Sequence, residues 1–425
     1  MNMREMKDSG IEWVGNIPAT WKSIQIKNLF TILSGATPTP DTDNWDGDVL
    51  WITPADYKTK DKYVSGGKRN ISQQGFNTCS TSMIPKGSII FSKRAPIGTV
   101  AINTEVLCTN QGCLSCVSKA DTCNDYYYYV MSVGTEHFEL LGSGTTFKEI
   151  SANSFSNCKL PCPDKCEQEK IASFLDERCS AVNCLISDIQ SQIEALEEYK
   201  RSVITEAVTK GLDPDVEMRD SGIAWVGDIP AHWITHPLYF YFGERKNKNA
   251  LGLETNLLSL SYGKIIRKDI NSNGGLLPES FNTYNIIEKD DIIIRPTDLQ
   301  NDKRSLRTGI AREHGIITSA YIAMKAIKAV NPEYFHYLLH AYDVMKVFYN
   351  MGNGVRQGLN FSEFSRLMVF EPAIEEQNAI VSYLKEKCDE IDLAIAEKKQ
   401  QIETIEEYKK SLIFEYVTGK KEVQA

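Results

Sequence analysis

The stretch "DSGIEWVGNIPATW" occupies residues 8–21, and "DSGIAWVGDIPAHW" occupies residues 220–233. The two copies differ at only three positions, which is too close a match for chance and indicates a duplicated module. In each copy Trp, Ile and Val predict an apolar anchor, and Pro18 or Pro230 stiffens the chain. We therefore expect this repeated stretch to be structural and to begin each half of an internal repeat.

A second pair of matching segments follows in each half. "EQEKIASFL" at 167–175 corresponds to "EQNAIVSYL" at 376–384, and "EEYKRS" at 197–202 corresponds to "EEYKKS" at 406–411. Each half therefore consists of the repeated stretch, a variable body and a long charged segment. The predicted boundaries are a first body at 1–165, a first long helix at 166–211, a second body at 212–374 and a second long helix at 375–425.

The charged segments carry apolar residues every seven positions, with a partner series three residues later. Sustained over four to five heptads, this spacing predicts a coiled coil. The interface positions expected are Leu175, Val182, Ile186, Ile189, Ile193 and Leu196 in the first segment, and Leu384, Ile391, Ile395, Ile402, Ile405 and Leu412 in the second. Lys398 interrupts the second series once. Matching registers favour pairing of the two helices over the alternative, in which each helix packs on its own body.

Connectivity predicts the direction of the two helices. Gly211 and Pro214 are stop signals for the first helix, and only "LDPDVEMR" separates Gly211 from the second repeated stretch. The second body must then follow at the far end of the first helix, and the second helix must run back. We expect antiparallel helices, a pseudo-two-fold internal repeat, and a first repeated stretch that lies near the end of the second helix.

The bodies are predicted to be mixed and strand-rich, so the expected fold class is α+β. Strands bounded by Gly and Pro are expected at "GDVLWIT" (47–53), "GSIIFSK" (87–93), "TVAINT" (99–104), "DDIIIRP" (290–296) and "IITSAYIAMKAI" (316–327). A helix is expected over 332–349, with Asn331 as its N-cap and Pro332 at its first position.

Composition is compatible with a nucleic-acid partner despite a formal net charge of −9. Residues 167–210 carry nine acids and five bases, and residues 375–421 carry eleven acids and eight bases, so the long segments hold most of the negative charge. The bodies are close to neutral and contain local basic loops. No apolar run reaches about 18 residues and no signal-peptide pattern opens the chain, so we expect a cytoplasmic protein without disulfides among its 11 cysteines.

The chain resembles the specificity subunit of type I restriction–modification enzymes. The resemblance rests on "DSGIEWVGNIPATW", "SGATPTPDTDNWDGDVLWITPADY", "GSIIFSKRAPIG" and "EQEKIASFLDER…EEYKRSVITEAVTKG", and on their order. It implies that the bodies are target-recognition domains, each recognising one half of a split sequence in double-stranded DNA. The helices would space the domains and dock two methyltransferase (modification) subunits, which in turn support motor–nuclease (restriction) subunits.

The resemblance also implies a chain that is not catalytic on its own. S-adenosylmethionine would bind the methyltransferase subunit, and ATP and magnesium would serve the motor subunit. The second domain departs from the family pattern, because "SGATPTP" has no clear counterpart near Glu244–Leu251 and "RAPIG" becomes "RPTDL".

Candidate DNA-binding residues follow from side-chain chemistry. Arg and Lys make bidentate contacts to guanine, Gln and Asn to adenine, and other basic groups hold phosphates. The candidates are Lys93, Arg94, Gln111, Thr145, Thr146 and Lys148 in the first domain, and Arg295, Lys303, Arg304, Arg307, Arg356 and Gln357 in the second. For a single residue, a solvated surface role is an equal alternative.

Three alternatives stay open. "NPEY" at 331–334 is similar to the base-gripping motif of adenine methyltransferases, but Glu333 replaces a proline and no Gly-rich cofactor loop accompanies it. Cys108, Cys113, Cys116 and Cys123 have spacing similar to an iron–sulfur motif, yet a strand would send Cys113 and Cys116 to opposite faces, so structural cysteines are favoured. The third alternative is a coiled-coil scaffold, or an orphan DNA-binding protein, without restriction partners.

Helix length predicts the form of the target. A helix of about 44 residues is about 66 Å long, which limits the separation of the two domains to about 19 base pairs. Domains facing the same side of the duplex would prefer centres about 10 base pairs apart. Because the loops of the two domains differ, we expect two different half-sites.

Overall fold

The computed structural model describes residues 4–57, 62–144, 148–270, 280–297, 306–351 and 358–423. It divides into two compact units, which are residues 1–189 with 400–425, and residues 190–399. Each unit therefore contains one body, the beginning of one long helix and the end of the other. The predicted domain boundaries stay predictions.

The first unit is built on a five-stranded sheet of order β4-β11-β8-β9-β7, in which only the β7–β9 pair is parallel. Its strands are β1 Met6–Asp8, β2 Asn16–Pro18, β3 Lys22–Gln25, β4 Phe30–Ser34, β5 Trp45–Val49, β6 Trp51–Ile52, β7 Tyr63–Val64, β8 Ile89–Ser92, β9 Val100–Asn103, β10 Cys108–Thr109, β11 Cys113–Ser118 and β12 Lys159–Cys162. Its helices are α1 Ile26–Leu29, α2 Gln73–Thr78, α3 Asn124–Val133, α4 Thr135–Leu140, α5 Ala152–Asn157 and the start of α6 Lys165–Lys210.

The second unit contains an antiparallel sheet of order β16-β23-β20-β21. Its strands are β13 Met218–Asp220, β14 Asp228–Pro230, β15 Ile234–Pro237, β16 Phe242–Glu244, β17 Leu258–Ser261, β18 Lys264–Arg267, β19 Asn285–Ile287, β20 Ile292–Ile294, β21 Thr308–Ile310, β22 Gly315–Ile317, β23 Ile322–Ala326 and β24 Met368–Glu371. Its helices are α7 Pro332–Val344, α8 Phe361–Phe364 and the start of α9 Ile374–Val417.

Four strands of the first sheet, β4-β11-β8-β9, correspond in order to the second sheet, so that β8 and β20 hold matching positions. Both strands are short apolar runs because both faces are covered. Ile90 packs in a different apolar cluster from its neighbours Ile89 and Phe91, and Ile293 differs from its neighbours in the same way. The internal repeat predicted from the sequence is therefore present in the bodies as well as in the repeated stretch.

The predicted elements are largely confirmed, with three differences. The strand predicted over 47–53 is divided between β5 and β6, which Leu50 separates. Asn331 caps α7, since its Oδ1 accepts hydrogen bonds from the backbone N–H groups of Glu333 and Tyr334. The α-helix ends at Val344 and a short 3₁₀ turn follows over Val347–Asn350. The segment 316–327 is divided between two strands, because a turn at Thr318–Tyr321 separates β22 from β23.

The repeated stretch makes the same hairpin in both units, β1 with β2 and β13 with β14. In each copy the opening Asp accepts a hydrogen bond from the N–H of the following Gly at 2.9 Å, Asp8 from Gly10 and Asp220 from Gly222. Both glycines have positive φ, a conformation that L side chains rarely adopt. The strict repetition of these residues therefore has a structural cause.

The tryptophan that closes each copy is buried against the start of a long helix. Trp21 Nε1 donates to Glu167 at 2.8 Å, and Trp233 Nε1 donates to Glu376 at 3.0 Å. Within the first unit, the end of α9 also reaches the first repeated stretch, because Lys420 Nζ donates to the Val14 carbonyl at 3.0 Å. The predicted proximity of that stretch to the end of the second helix is confirmed.

The two long helices pack in antiparallel orientation within each unit. In the second unit Lys200 donates to Asp392, and Lys398 donates to Gln192. Gln192 precedes Lys200 by eight residues on α6, whereas Lys398 follows Asp392 by six residues on α9, so the helices run in opposite directions. In the first unit Lys409 donates to Asn183 at 2.7 Å, and the Phe174 ring lies 4.5 Å from that of Tyr416.

The predicted coiled-coil positions are all at least half-buried on the two helices. Most are buried, and the remainder are half-buried: Val182, Ile186, Leu196, Ile402 and Ile405. Lys398, which interrupts the apolar series, is half-buried and hydrogen-bonds Gln192 across the seam at 2.5 Å.

Candidate nucleic-acid interface

Two basic residues follow β8 directly and share one carboxylate. Lys93 Nζ lies 2.8 Å from Glu149 Oε1, and Arg94 Nε donates to Glu149 Oε2 at 2.8 Å. The backbone fixes this arrangement, since Ile150 N–H donates to the Lys93 carbonyl at 3.0 Å. Burial raises the pKa of Glu149, but the hydrogen bonds from Lys93 and Arg94 outweigh it and hold the pKa below its ordinary value. The carboxylate is therefore charged at neutral pH and forms ion pairs with both cations.

Gln111 lies beside this pair on the turn before β11. Lys93 N–H donates to the Gly112 carbonyl at 2.9 Å, which joins the two segments. The exposed amide of Gln111 accepts a hydrogen bond from the Thr37 hydroxyl. The loop carrying Thr37 approaches closely because of Gly35, where an added Cβ would lie 2.2 Å from the Asn110 carbonyl oxygen. A side chain at that position would push the loop away from Gln111.

Lys148 is the third cation of this region. It is exposed and directly precedes Glu149. Lys148 packs beside Gly142: a Cβ added to that glycine would lie 3.1 Å from Lys148 Cγ and 2.7 Å from Ile97 Cδ1. The structure thus brings Lys93, Arg94, Gln111 and Lys148 to the end of the first sheet, whereas the candidates Thr145 and Thr146 lie outside the described residues.

In the second body, Arg295 follows β20 and Arg307 precedes β21. Arg295 N–H donates to the Arg307 carbonyl at 2.8 Å, so the two residues close the base of the β20–β21 connection. Arg295 is half-buried, whereas Arg307 is 0% exposed, with its Nη1 2.5 Å from the Thr297 carbonyl and its N–H bonded to Asp343. Arg307 therefore supports the connection rather than presenting a free side chain. The candidates Lys303, Arg304, Arg356 and Gln357 lie outside the described residues.

Basic candidates of the two bodies lie on connections between equivalent strands. Lys93 and Arg94 lie on the connection from β8 to β9, and the segment 295–307 is the connection from β20 to β21. These strands hold the same places in the order β4-β11-β8-β9 of the first sheet and β16-β23-β20-β21 of the second. The sequence already sets "RAPIG" (94–98) against "RPTDL" (295–299), and in the structure Arg94 and Arg295 follow equivalent strands.

Two participants were missed from the sequence. Glu149 lies 55 residues from Arg94 in sequence, and its negative charge is opposite to that of the residues that bind DNA phosphates. Thr37 belongs to the "SGATPTP" segment, which carried the family resemblance but suggested no contact. Only the long-range contacts of these residues reveal their roles.

Cys113 and Cys116, on β11, lie on opposite faces of the first sheet. Cys113 packs with Tyr57 and Ile52, while Cys116 packs with Leu114 on the other face. Burial raises the pKa of the Cys113 thiol to about 12, so it is protonated at neutral pH. Among the described residues no group of three or more His, Cys, Asp or Glu side chains is placed to hold a metal ion. Within that same part of the chain, no helix has the length and apolar character needed to cross a bilayer.

Comparison with known proteins gives a consistent picture. Residues 18–195 match the family described as the type I restriction modification DNA specificity domain. Over 189 residues the chain is 36% identical to the type I restriction enzyme MjaIX specificity subunit of Methanocaldococcus jannaschii, covering 44% of this chain and 43% of that protein. Over 313 residues it is 24% identical to the MjaVIII specificity subunit of the same organism, covering 69% of each. The first match thus spans less than half of that relative.

One solved structure is similar over nearly the whole chain. It comes from work described as the structural basis underlying complex assembly and conformational transition of the type I R-M system. The TM-score is 0.69, with 94% of this chain and 98% of that chain covered at 12% identity. At this identity the likeness concerns the fold, and it includes both halves.

Proposed function

We propose that this chain is a specificity subunit of a type I restriction–modification system and that it recognises a split and asymmetric DNA target through its two bodies. Each body would bind one half-site, and the chain would contribute recognition without catalysis. The observation that carries the proposal is the shared position of the basic candidates on the β8–β9 and β20–β21 connections.

The chemistry of the first surface suits contacts to both bases and phosphates. Gln111 has an exposed amide whose oxygen already accepts from Thr37, so its orientation is restrained before DNA arrives. An oriented amide is the group that pairs with adenine, and Arg94 is the group that pairs with guanine. Lys148 is exposed and suits a phosphate.

The two target halves should differ, because the two connections differ in length and sequence. Residues 93–99 join β8 to β9, while residues 295–307 join β20 to β21. Equivalent frames with different connections would recognise different bases. A palindromic target is therefore not expected.

The long helices would space the bodies and dock partner subunits. Tyr199 on α6 and Tyr408 on α9 occupy equivalent positions of the repeat and expose 54% and 58% of their surface. Two equivalent exposed aromatic positions suit two copies of one partner, in line with two methyltransferase subunits that in turn hold motor–nuclease subunits. S-adenosylmethionine, ATP and magnesium would bind those partners.

The test is selection from a DNA library with two randomised half-sites and gaps of varied length, using the full chain with its methyltransferase partner. The parent should select a bipartite, non-palindromic target. Replacing Lys93 and Arg94 by Gln should relax preference in one half only, and Arg295→Gln in the other. Lys170→Gln, an exposed cation on α6, is the control. Nonspecific binding by the parent would favour a scaffold, and equal loss at both halves would contradict separate recognition.

A further inference from the structure

Each unit has a three-residue ion network where its body meets the start of a long helix. In the first unit Lys62 Nζ lies 2.7 Å from Asp125 Oδ1 and also contacts Asp176 of α6. The Lys62 side chain is only 14% exposed, and the two carboxylates are each 42% exposed. Tyr129 adds a hydrogen bond to Asp176 at 2.6 Å. The most buried ion of this network is a cation.

The second unit has the same arrangement with an anion at its centre. Glu333 in the first turn of α7 lies 2.6 Å from Arg312 Nη2 and 2.6 Å from Lys385 Nζ of α9. The Glu333 side chain is 11% exposed, against 57% for Arg312 and 50% for Lys385.

The repeat aligns the helix residues of these two networks. Asp176 lies nine positions after Glu167, and Lys385 lies nine positions after Glu376. Because Glu167 and Glu376 bond the equivalent tryptophans, Asp176 and Lys385 hold the same place on the two helices. The helix residue is therefore an acid in one half and a base in the other.

Two other polar contacts between body and helix are the same in both halves. Gln168 accepts from Cys123 N–H at 2.9 Å, and Gln377 accepts from Asn331 N–H at 2.8 Å, each at the N-terminus of a body helix. Tyr126 and Tyr334 likewise donate to the carbonyls of Val417 and Val208. Contacts that are identical in both halves do not discriminate one body from the other, whereas the ion network does.

We propose that the ion network matches each body to its own helix: the first body docks where the helix carries a carboxylate, and the second where it carries an ammonium group. A first body facing Lys385 would place two cations together in a half-buried site. A second body facing Asp176 would oppose two carboxylates, and Glu333 would lose one of its two cations. Uncompensated charges in partly buried sites are strongly unfavourable.

The ionisation of the central groups agrees with this geometry. Burial lowers the pKa of Lys62, but its contacts with Asp125 and Asp176 outweigh that effect and raise the pKa above its ordinary value. Burial raises the pKa of Glu333, and hydrogen bonds from Arg312 and Lys385 bring it below its ordinary value. Both central groups are thus charged at neutral pH.

The decisive experiment exchanges the bodies within the full chain. Residues 22–164 and 234–373 trade places, while the repeated stretches and both helices stay. We expect a lower melting temperature, and we expect Asp176→Lys with Lys385→Asp to restore most of the loss in the exchanged chain. The same pair of substitutions should destabilise the parent. An exchanged chain that is as stable as the parent, or one that the two substitutions do not improve, would overturn the proposal.

If the chain with exchanged bodies folds poorly, a single substitution in the parent chain still tests the charge match. Asp176→Lys in the parent should lower the melting temperature by about 3–6 °C. Glu177→Lys makes the same charge change at the adjacent exposed position and should have little effect. Equal effects of the two substitutions would count against the charge match. Since the measurement is thermal stability, its outcome is independent of whether the chain recognises DNA.

Discussion

Glu149 holds Arg94 through a hydrogen bond of 2.8 Å, and the same carboxylate lies 2.8 Å from Lys93 Nζ. If Lys93 and Arg94 bind DNA as proposed, a carboxylate in this place would compete with the phosphates for both cations. We expect Glu149→Gln to strengthen binding to random-sequence DNA. The slope of log affinity against log salt should steepen by about 1 for each cation that gains a phosphate contact. Fluorescence anisotropy over a range of salt concentrations measures both quantities.

The matched control is Glu177→Gln on α6, which removes the same charge from an exposed position. It should leave the salt slope unchanged. If both substitutions strengthened binding equally, net charge rather than the release of Lys93 and Arg94 would be responsible.

The helix seam gives a prediction on stability. Ile395 is 7% exposed in the seam, while Leu393 on the same helix is 62% exposed. Ile395→Asp should lower the free energy of unfolding by more than about 2 kcal/mol, because a carboxylate there has no partner. Combining it with Ile186→Asp should abolish specific DNA binding before the bodies unfold. Leu393→Asp should change stability by less than about 0.5 kcal/mol. Denaturant titration followed by circular dichroism separates the cases.

At Lys398 we expect a substitution that raises the free energy of unfolding. It occupies an apolar position of the heptad series and bonds Gln192 across the seam at 2.5 Å. A polar residue at such a position specifies register at a cost in stability. Lys398→Leu should therefore raise the free energy of unfolding by about 1 kcal/mol, since the leucine side chain buries more apolar surface. A decrease in stability would show instead that the bond to Gln192 is worth more than the apolar contact.

The elements that could be predicted from the sequence are those with a local cause. The seven-residue spacing predicts the seam, Asn331 with Pro332 predicts the start of α7, and the apolar run in "GSIIFSK" predicts β8. Each of these predictions depends on residues that lie close together in sequence, within one or two helical turns or within one strand.

The contacts that could not be predicted join residues far apart in sequence. Lys62 lies 114 residues from Asp176, and Arg94 lies 55 residues from Glu149. The burial of Arg307 was also unforeseen, because a basic residue beside other basic residues suggests an exposed loop. Its carbonyl and carboxylate partners, Thr297 and Asp343, become apparent only when the sheet and α7 are assembled.

The two long helices end differently, and this difference can be measured. Gly211 follows α6 with φ +75°, and an added Cβ would lie 3.2 Å from Glu376 Oε1, a contact that a shift of a few tenths of an ångström relieves. Gly419 follows α9 with φ +70°, and an added Cβ would lie 2.4 Å from Pro18 Cδ of the repeated stretch. Gly211→Ala should therefore cost only the backbone strain, about 1 kcal/mol. Gly419→Ala should cost more than about 2 kcal/mol, because the rigid proline ring must also move.

The two variants act as controls for each other, since both introduce one methyl group at a left-handed helix end. Urea denaturation of the full chain gives the two free energies of unfolding. Equal losses would mean that positive φ alone sets the cost and that the contact between Gly419 and Pro18 adds nothing. A loss confined to Gly419→Ala, or larger there, is the result expected if the first repeated stretch is packed tightly against the end of α9.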